Sequence, residues 1–136
     1  MIQARRLMAG WFPARDVALH QPKNMPISIR RHPEAGFSCF PILDGTAVKI
    51  LPHHLDWMNI DIPEDLPRLI EPEFVRAIER AVARLMPGLD PAAIRVSSWT
   101  EGFTTDGVPV VGPSPADDRV VLAFGMSGQE IGRAHV

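Results

Sequence analysis

The chain has 136 residues, of which 46% are apolar and 22% charged, with a formal net charge of -2. That balance suits one globular domain and excludes a disordered polymer. The dispersed basic residues carry no electrostatic footprint for nucleic acid, and no apolar run approaches the roughly 20 residues that cross a bilayer.

Cys39 is the only cysteine, so neither an internal disulfide nor a thiolate-rich zinc site can form, and no metal site is expected. Met1 to Trp11 lacks the apolar core and cleavage site of a secretory signal, which makes a reducing cytoplasm the expected compartment. Fourteen prolines, about twice ordinary usage, predict short strands joined by stiff loops.

Gln3 to Phe12 reads as a strand and Pro13 to Pro22 as a loop. Ile27 to Arg31 and Phe37 to Ile42 are β-prone runs separated by His32-Pro33-Glu34-Ala35-Gly36, the chemistry of a hairpin turn. Leu43-Asp44-Gly45 is a second turn, and Thr46 to Leu51 alternates as a third strand of an antiparallel meander. Asp56 to Leu69, with Pro63 and Pro67, reads as an irregular connection.

Pro72 opens a helix that ends near Met86. Phe74, Ile78, Ala81 and Leu85 form its apolar face, Glu73, Arg76, Glu79, Arg80 and Arg84 its wet side, and Pro87-Gly88 its stop. Ile94 to Thr100 is a further strand. A turn containing Gly102, Asp106 and Gly107 leads into Val108 to Gly112. Val120 to Phe124 reads as a buried strand closing on Gly125-Met126-Ser127-Gly128. These elements predict an α+β fold dominated by an antiparallel or mixed sheet, without internal repeats.

Three ordered segments then carry a resemblance. Phe40-Pro41 is followed by Gly45-Thr46-Ala47-Val48-Lys49-Ile50-Leu51-Pro52-His53, with a histidine four residues after the lysine. Val96-Ser97-Ser98-Trp99-Thr100 continues to Thr105-Asp106-Gly107-Val108-Pro109-Val110-Val111-Gly112. Val121-Leu122-Ala123-Phe124-Gly125-Met126-Ser127-Gly128-Gln129 comes last. The set resembles the FAD-dependent amino-acid oxidase superfamily, in its branch of monomeric sarcosine and N-methyltryptophan oxidases.

The resemblance implies a catalytic (substrate) domain over residues 1–95 and a segment over 96–129 returning to a Rossmann-type FAD domain. The dinucleotide fingerprint G-x-G-x-x-G is absent from the chain, so the helix N-terminus that would hold a pyrophosphate is expected outside it. Residues 130–136 do not continue the family pattern. They back-translate to a sequence resembling a short-read sequencing adapter, and are expected to be a non-native tail of a C-terminal fragment.

Lys49 matches the lysine that lies over the flavin and favours charge transfer to oxygen; without its flanking motifs it would read as an exposed strand lysine. His53 matches the active-site histidine, while His54, one strand position on, should point elsewhere. Ser97 stands where the sarcosine branch has the cysteine that binds flavin covalently. A hydroxyl lacks that thiolate reactivity, so FAD is expected to be non-covalent, with Cys39 a small buried residue rather than a substitute anchor. Trp99 lies beside that position. Gly125, Met126, Ser127 and Gly128 are expected to bring backbone N–H groups to the flavin. Asp106, Gly107 and Pro109 shape a turn, and Trp11, Trp57 and Trp99 line core or pocket.

The implied reaction oxidises the C–N bond of a secondary amine or amino acid to an imine, with molecular oxygen reduced to hydrogen peroxide. A fragment of such an enzyme is expected to be inactive alone. Two alternatives remain at this stage: an FAD-dependent amine dehydrogenase using another acceptor, and a stand-alone, non-catalytic α+β binding module.

Overall fold

A computed structural model describes residues 2–53, 59–61 and 69–128. His54 and Trp57 lie outside the described residues, as does the 130–136 tail. The chain divides into two compact units. The larger comprises Met8–Trp57 and Pro67–Ser98; the smaller comprises Met1–Leu7, Met58–Leu66 and Trp99–Val136.

The larger unit is built on an antiparallel sheet. Its strands are β2 (Ser28–Arg30), β3 (Phe37–Phe40), β4 (Ala47–Pro52) and the later residues of β1 (Ile2–Pro13), hydrogen-bonded in the order β2-β3-β4-β1. The hairpin and meander expected from the turn residues are present. Cys39 faces both Ser28 and Ile50, and Lys49 faces Phe40 on one side and Trp11 on the other. Strand side chains alternate between faces. Val48 and Ile50 therefore point to one face of β4, and Lys49 and Leu51 to the other.

Helix α1 (Pro72–Leu85) belongs to the Val48 and Ile50 face. Pro72 occupies its first turn, where the missing N–H costs nothing, Glu73 sits near its N-terminus and Arg84 in its last turn. Phe74, Ile78 and Val82 are its buried residues, and they join Phe12, Phe37, Cys39, Val48 and Ile50 in one apolar cluster. Val82 thus takes the place expected for Ala81, which is half-buried. Both lie within the apolar stripe, and the direction of the sheet selects the i+4 row.

After α1 the chain runs back along the end of β1. Arg15 N–H donates to Gly88 O (2.9 Å), Asp90 N–H to Pro13 O (2.8 Å) and Ile94 N–H to Trp11 O (3.0 Å). This return delivers the first residues of β6 (Arg95–Thr104) beside Trp11.

In the smaller unit Ala4 and Arg5 of β1 pair with Ile60 and Asn59 of β5 (Asn59–Ile60). This two-residue strand falls inside the stretch read as irregular; it is too short to leave a periodic signal. Strand β6 extends to Thr104, so Gly102 lies within the strand rather than in a turn. The turn follows it, with Gly107 N–H bonded to Thr104 O (3.3 Å) and Asp106 Oδ1 accepting from Val108 N–H (3.0 Å).

Strands β7 (Val110–Pro113) and β8 (Val121–Phe124) form an antiparallel hairpin. The expectation that Val120 to Phe124 is buried is corrected: Val121 is 71% exposed and its neighbour on β7, Val111, 67%. An apolar run records compatibility with burial, while burial itself requires a second layer. No described helix is long and apolar enough to cross a membrane.

Candidate functional site

The alternation of β4 sets the first group of residues. Lys49 is central on its strand, and the antiparallel register places Phe40 directly opposite it on β3 and Trp11 directly opposite on β1. Directly opposed residues share a face. The ammonium lies 5.1 Å from the Phe40 ring centre and 5.6 Å from that of Trp11. The Arg95 guanidinium lies 4.4 Å from the same Trp11 ring. Because Trp11 O accepts from Ile94 N–H, β4 and β6 flank β1 on opposite edges at this point. Two cations from different strands therefore share one indole.

Such cation–π contacts are each worth about 0.5–1 kcal/mol where water has access. Partial burial holds the Lys49 ammonium below its ordinary pKa, with the nearby Arg95 charge adding to the effect. The face is aromatic and positively charged.

His53 follows β4 with the same parity as Lys49 and Leu51, so a spacing of four residues brings both predicted residues to one side of the sheet. Its backbone N–H donates to Gly36 O (2.8 Å). The ring Nε2 lies 2.8 Å from Ser38 Oγ, and Ser38 stands opposite Leu51 on this same face.

Ser97 is half-buried on β6. It is two residues beyond Arg95, hence on the same side of that strand. Cys39 lies on the other face of the sheet, opposite Ile50, and is 1% exposed. Burial pushes its thiol up to about 12, which fits the expectation of a small inert core residue.

The remaining predicted residues, Trp99, Gly125, Met126, Ser127 and Gly128, belong to the smaller unit. Trp99 is half-buried on β6. Met126 forms a β-bridge with Phe103, over whose ring the Arg5 guanidinium lies at 4.8 Å. Gly125 has φ +69°, and a Cβ there would sit 2.5 Å from Thr104 Cγ2; only glycine fits. Ser127 also takes a left-handed conformation, φ 56°, at a cost of roughly 1–2 kcal/mol. Its hydroxyl offsets this by donating to Gly125 O (3.1 Å) and accepting from Thr104 N–H (3.3 Å). The loop is thus a constrained, low-bulk backbone held against β6.

The sequence reading missed Ser38 and Arg95, and took Trp11 only as general lining. The motif FSCF carries Ser38 one residue from Cys39, yet its pairing with His53 spans 15 residues and has no local signal. Arg95 adjoins the Val96 to Thr100 motif and could have been noticed there as a cation within reach of the same strand face.

A family profile described as DAO, FAD dependent oxidoreductase, matches residues 4–136. No curated protein gives a match. Among solved structures, the open form of NikD, an unusual amino acid oxidase essential for nikkomycin biosynthesis, superposes with a TM-score of 0.66 at 12% identity. The overlap covers 91% of this chain and 34% of that one. A thermally stable mutant of fructosyl peptide oxidase gives 0.66 at 14% identity, covering 94% and 34%. Likeness at such identities is one of fold. The chain spans about one third of the length of these structures.

Proposed function

The chain belongs to the family of FAD-dependent oxidoreductases, and on that premise we propose that it forms part of an amine or amino-acid oxidase of the sarcosine-oxidase type. Residues 1–95 are assigned to the substrate domain and 96–129 to the segment returning to the FAD domain. The observation carrying this reading is the register that sets Lys49 between Phe40 and Trp11 on a half-buried, cationic sheet face.

The residues present fit a flavin. A planar ring that gains negative charge suits aromatic side chains beside ammonium and guanidinium groups. At Gly125 the space a Cβ would take is filled by Thr104, which seats the loop against β6, and the resemblance is what assigns its backbone N–H groups to the flavin. Ser97, Trp99, Gly125, Met126, Ser127 and Gly128 are the residues proposed to hold it. Bound FAD would supply the two-electron oxidation of the C–N bond and pass the electrons to oxygen, giving hydrogen peroxide.

The chain's own residues polarise and position. Lys49 presents a fixed positive charge in a partly dry environment, where such charges act more strongly than in water. His53 orients the substrate, a small secondary amine or amino acid. Ser97 offers a hydroxyl and Cys39 is buried on the opposite face, which supports non-covalent FAD.

The test is Lys49→Met in the complete enzyme, followed by stopped-flow kinetics of each half-reaction. Reoxidation by oxygen should slow roughly 10²-fold, in line with the loss of one preorganised charge partner, while reduction by sarcosine changes much less. Equal slowing of both half-reactions would overturn the role. Wild-type reoxidation by oxygen too slow to sustain turnover would identify a dehydrogenase instead.

A further inference from the structure

Arg95 opens β6 with an exposed side chain. Its guanidinium lies over the Trp11 ring at 4.4 Å. Among the described residues no carboxylate or carbonyl bonds to it. A ring face attracts the charge of a guanidinium without using up its fork of five N–H donors. The contact therefore holds a long side chain against β1 while its donors stay open to a ligand, and ordering it beforehand lowers the cost of binding. Lys49 lies over the same indole at 5.6 Å, and the Arg95 charge helps to lower its pKa. Two like charges held on one half-buried face repel each other, and an anion bound beside them relieves that repulsion.

We propose that Arg95 is a specificity-determining residue that takes the carboxylate of the substrate, selecting amino acids and N-alkyl amino acids over amines that lack an acid group. A planar fork meets a carboxylate with two parallel N–H···O bonds, which a lone ammonium cannot do. Phosphate would match the same fork, but it carries more charge and is favoured where a helix N-terminus adds donors. Among the described residues the one helix, α1, packs on the opposite face of this sheet. Trp11 and Phe40 supply apolar surface on the Lys49 face for the body of such a substrate. The identity of the ligand as substrate rests on the oxidase reading; the carboxylate site does not.

The experiment titrates the full chain with acetate, with acetamide as the uncharged isostere and chloride as the control for ionic strength. The Arg95 Nε–H and Trp11 Nε1–H NMR signals report binding, the former identified by its loss in Arg95→Lys. Acetate should shift both signals saturably, and acetamide and chloride should not. Arg95→Lys, which keeps the charge but not the fork, should weaken acetate binding roughly 10-fold, and Arg95→Gln should abolish it. No saturable acetate shift overturns the proposal without any variant. So does undiminished binding in Arg95→Gln, or inorganic phosphate binding more tightly than acetate. In the complete enzyme, Arg95→Gln should raise KM for sarcosine roughly 10-fold or more and leave sarcosine amide little changed. Equal losses for both would overturn the proposal and leave the oxidase reading standing. Acetate binding at Arg95 in a complete enzyme that oxidises no amine would defeat the oxidase reading alone.

Discussion

Cys39 illustrates how far one residue's environment alters its chemistry. Packed among Ile50, Val48 and the helix residues, its thiol is pushed from 9.0 up to about 12 because burial disfavours the thiolate. The sign follows from linkage. The folded form keeps its proton to higher pH than the unfolded chain, so the associated stability is full below about pH 9 and falls as pH rises towards 12. Denaturant titrations between pH 8 and 11 should show a steeper alkaline loss for the unaltered protein than for Cys39→Ala. In the native state the thiol should also resist alkylation at pH 8, where the unfolded chain reacts. Lys49 shifts the other way, since burial and Arg95 both disfavour its cation. Arg95→Gln should therefore raise the Lys49 pKa, readable from the pH titration of its side-chain NMR signals.

At the scale of the elements, α1 owes its place to packing rather than to its caps. Glu71 makes no side-chain cap hydrogen bond, and Ile78 is fully buried against the sheet. Ile78→Ala should cost about 2–5 kcal/mol in denaturant unfolding, whereas Arg80→Ala on the exposed side should stay within about 0.5 kcal/mol. Equal effects would mean that α1 does not carry the core. The helix bounds were readable because Pro72 and Pro87 punctuate it. The buried row was not, because Ala81 and Val82 both satisfy a helical period. Strand β6 was read too short for a related reason: an isolated glycine such as Gly102 signals a turn unless a pairing partner holds it extended.

For the whole molecule, the family assignment and the fold likeness agree, and the chain spans about a third of each compared structure. The cofactor proposal is tested on the complete protein. It should purify yellow, and acid precipitation should release the colour into the supernatant. Colour retained in the pellet would refute non-covalent binding. Restoring a cysteine with Ser97→Cys would then ask whether that position alone can capture the flavin.

The sequence by itself determined the local elements, the absence of any internal disulfide and the parity that turns Lys49 and His53 to one side of β4. Those properties depend on turn residues, composition and a two-residue period, all of which act over a few positions. The neighbours of these two side chains were decided only by tertiary structure. Ser38, Phe40, Trp11 and Arg95 reach them from three other strands through a register that pairs distant segments. The side of the sheet that α1 covers likewise decides that Cys39 is buried and inert while Lys49 is only half-buried. Alternation defines two faces; only packing chooses which one becomes the core.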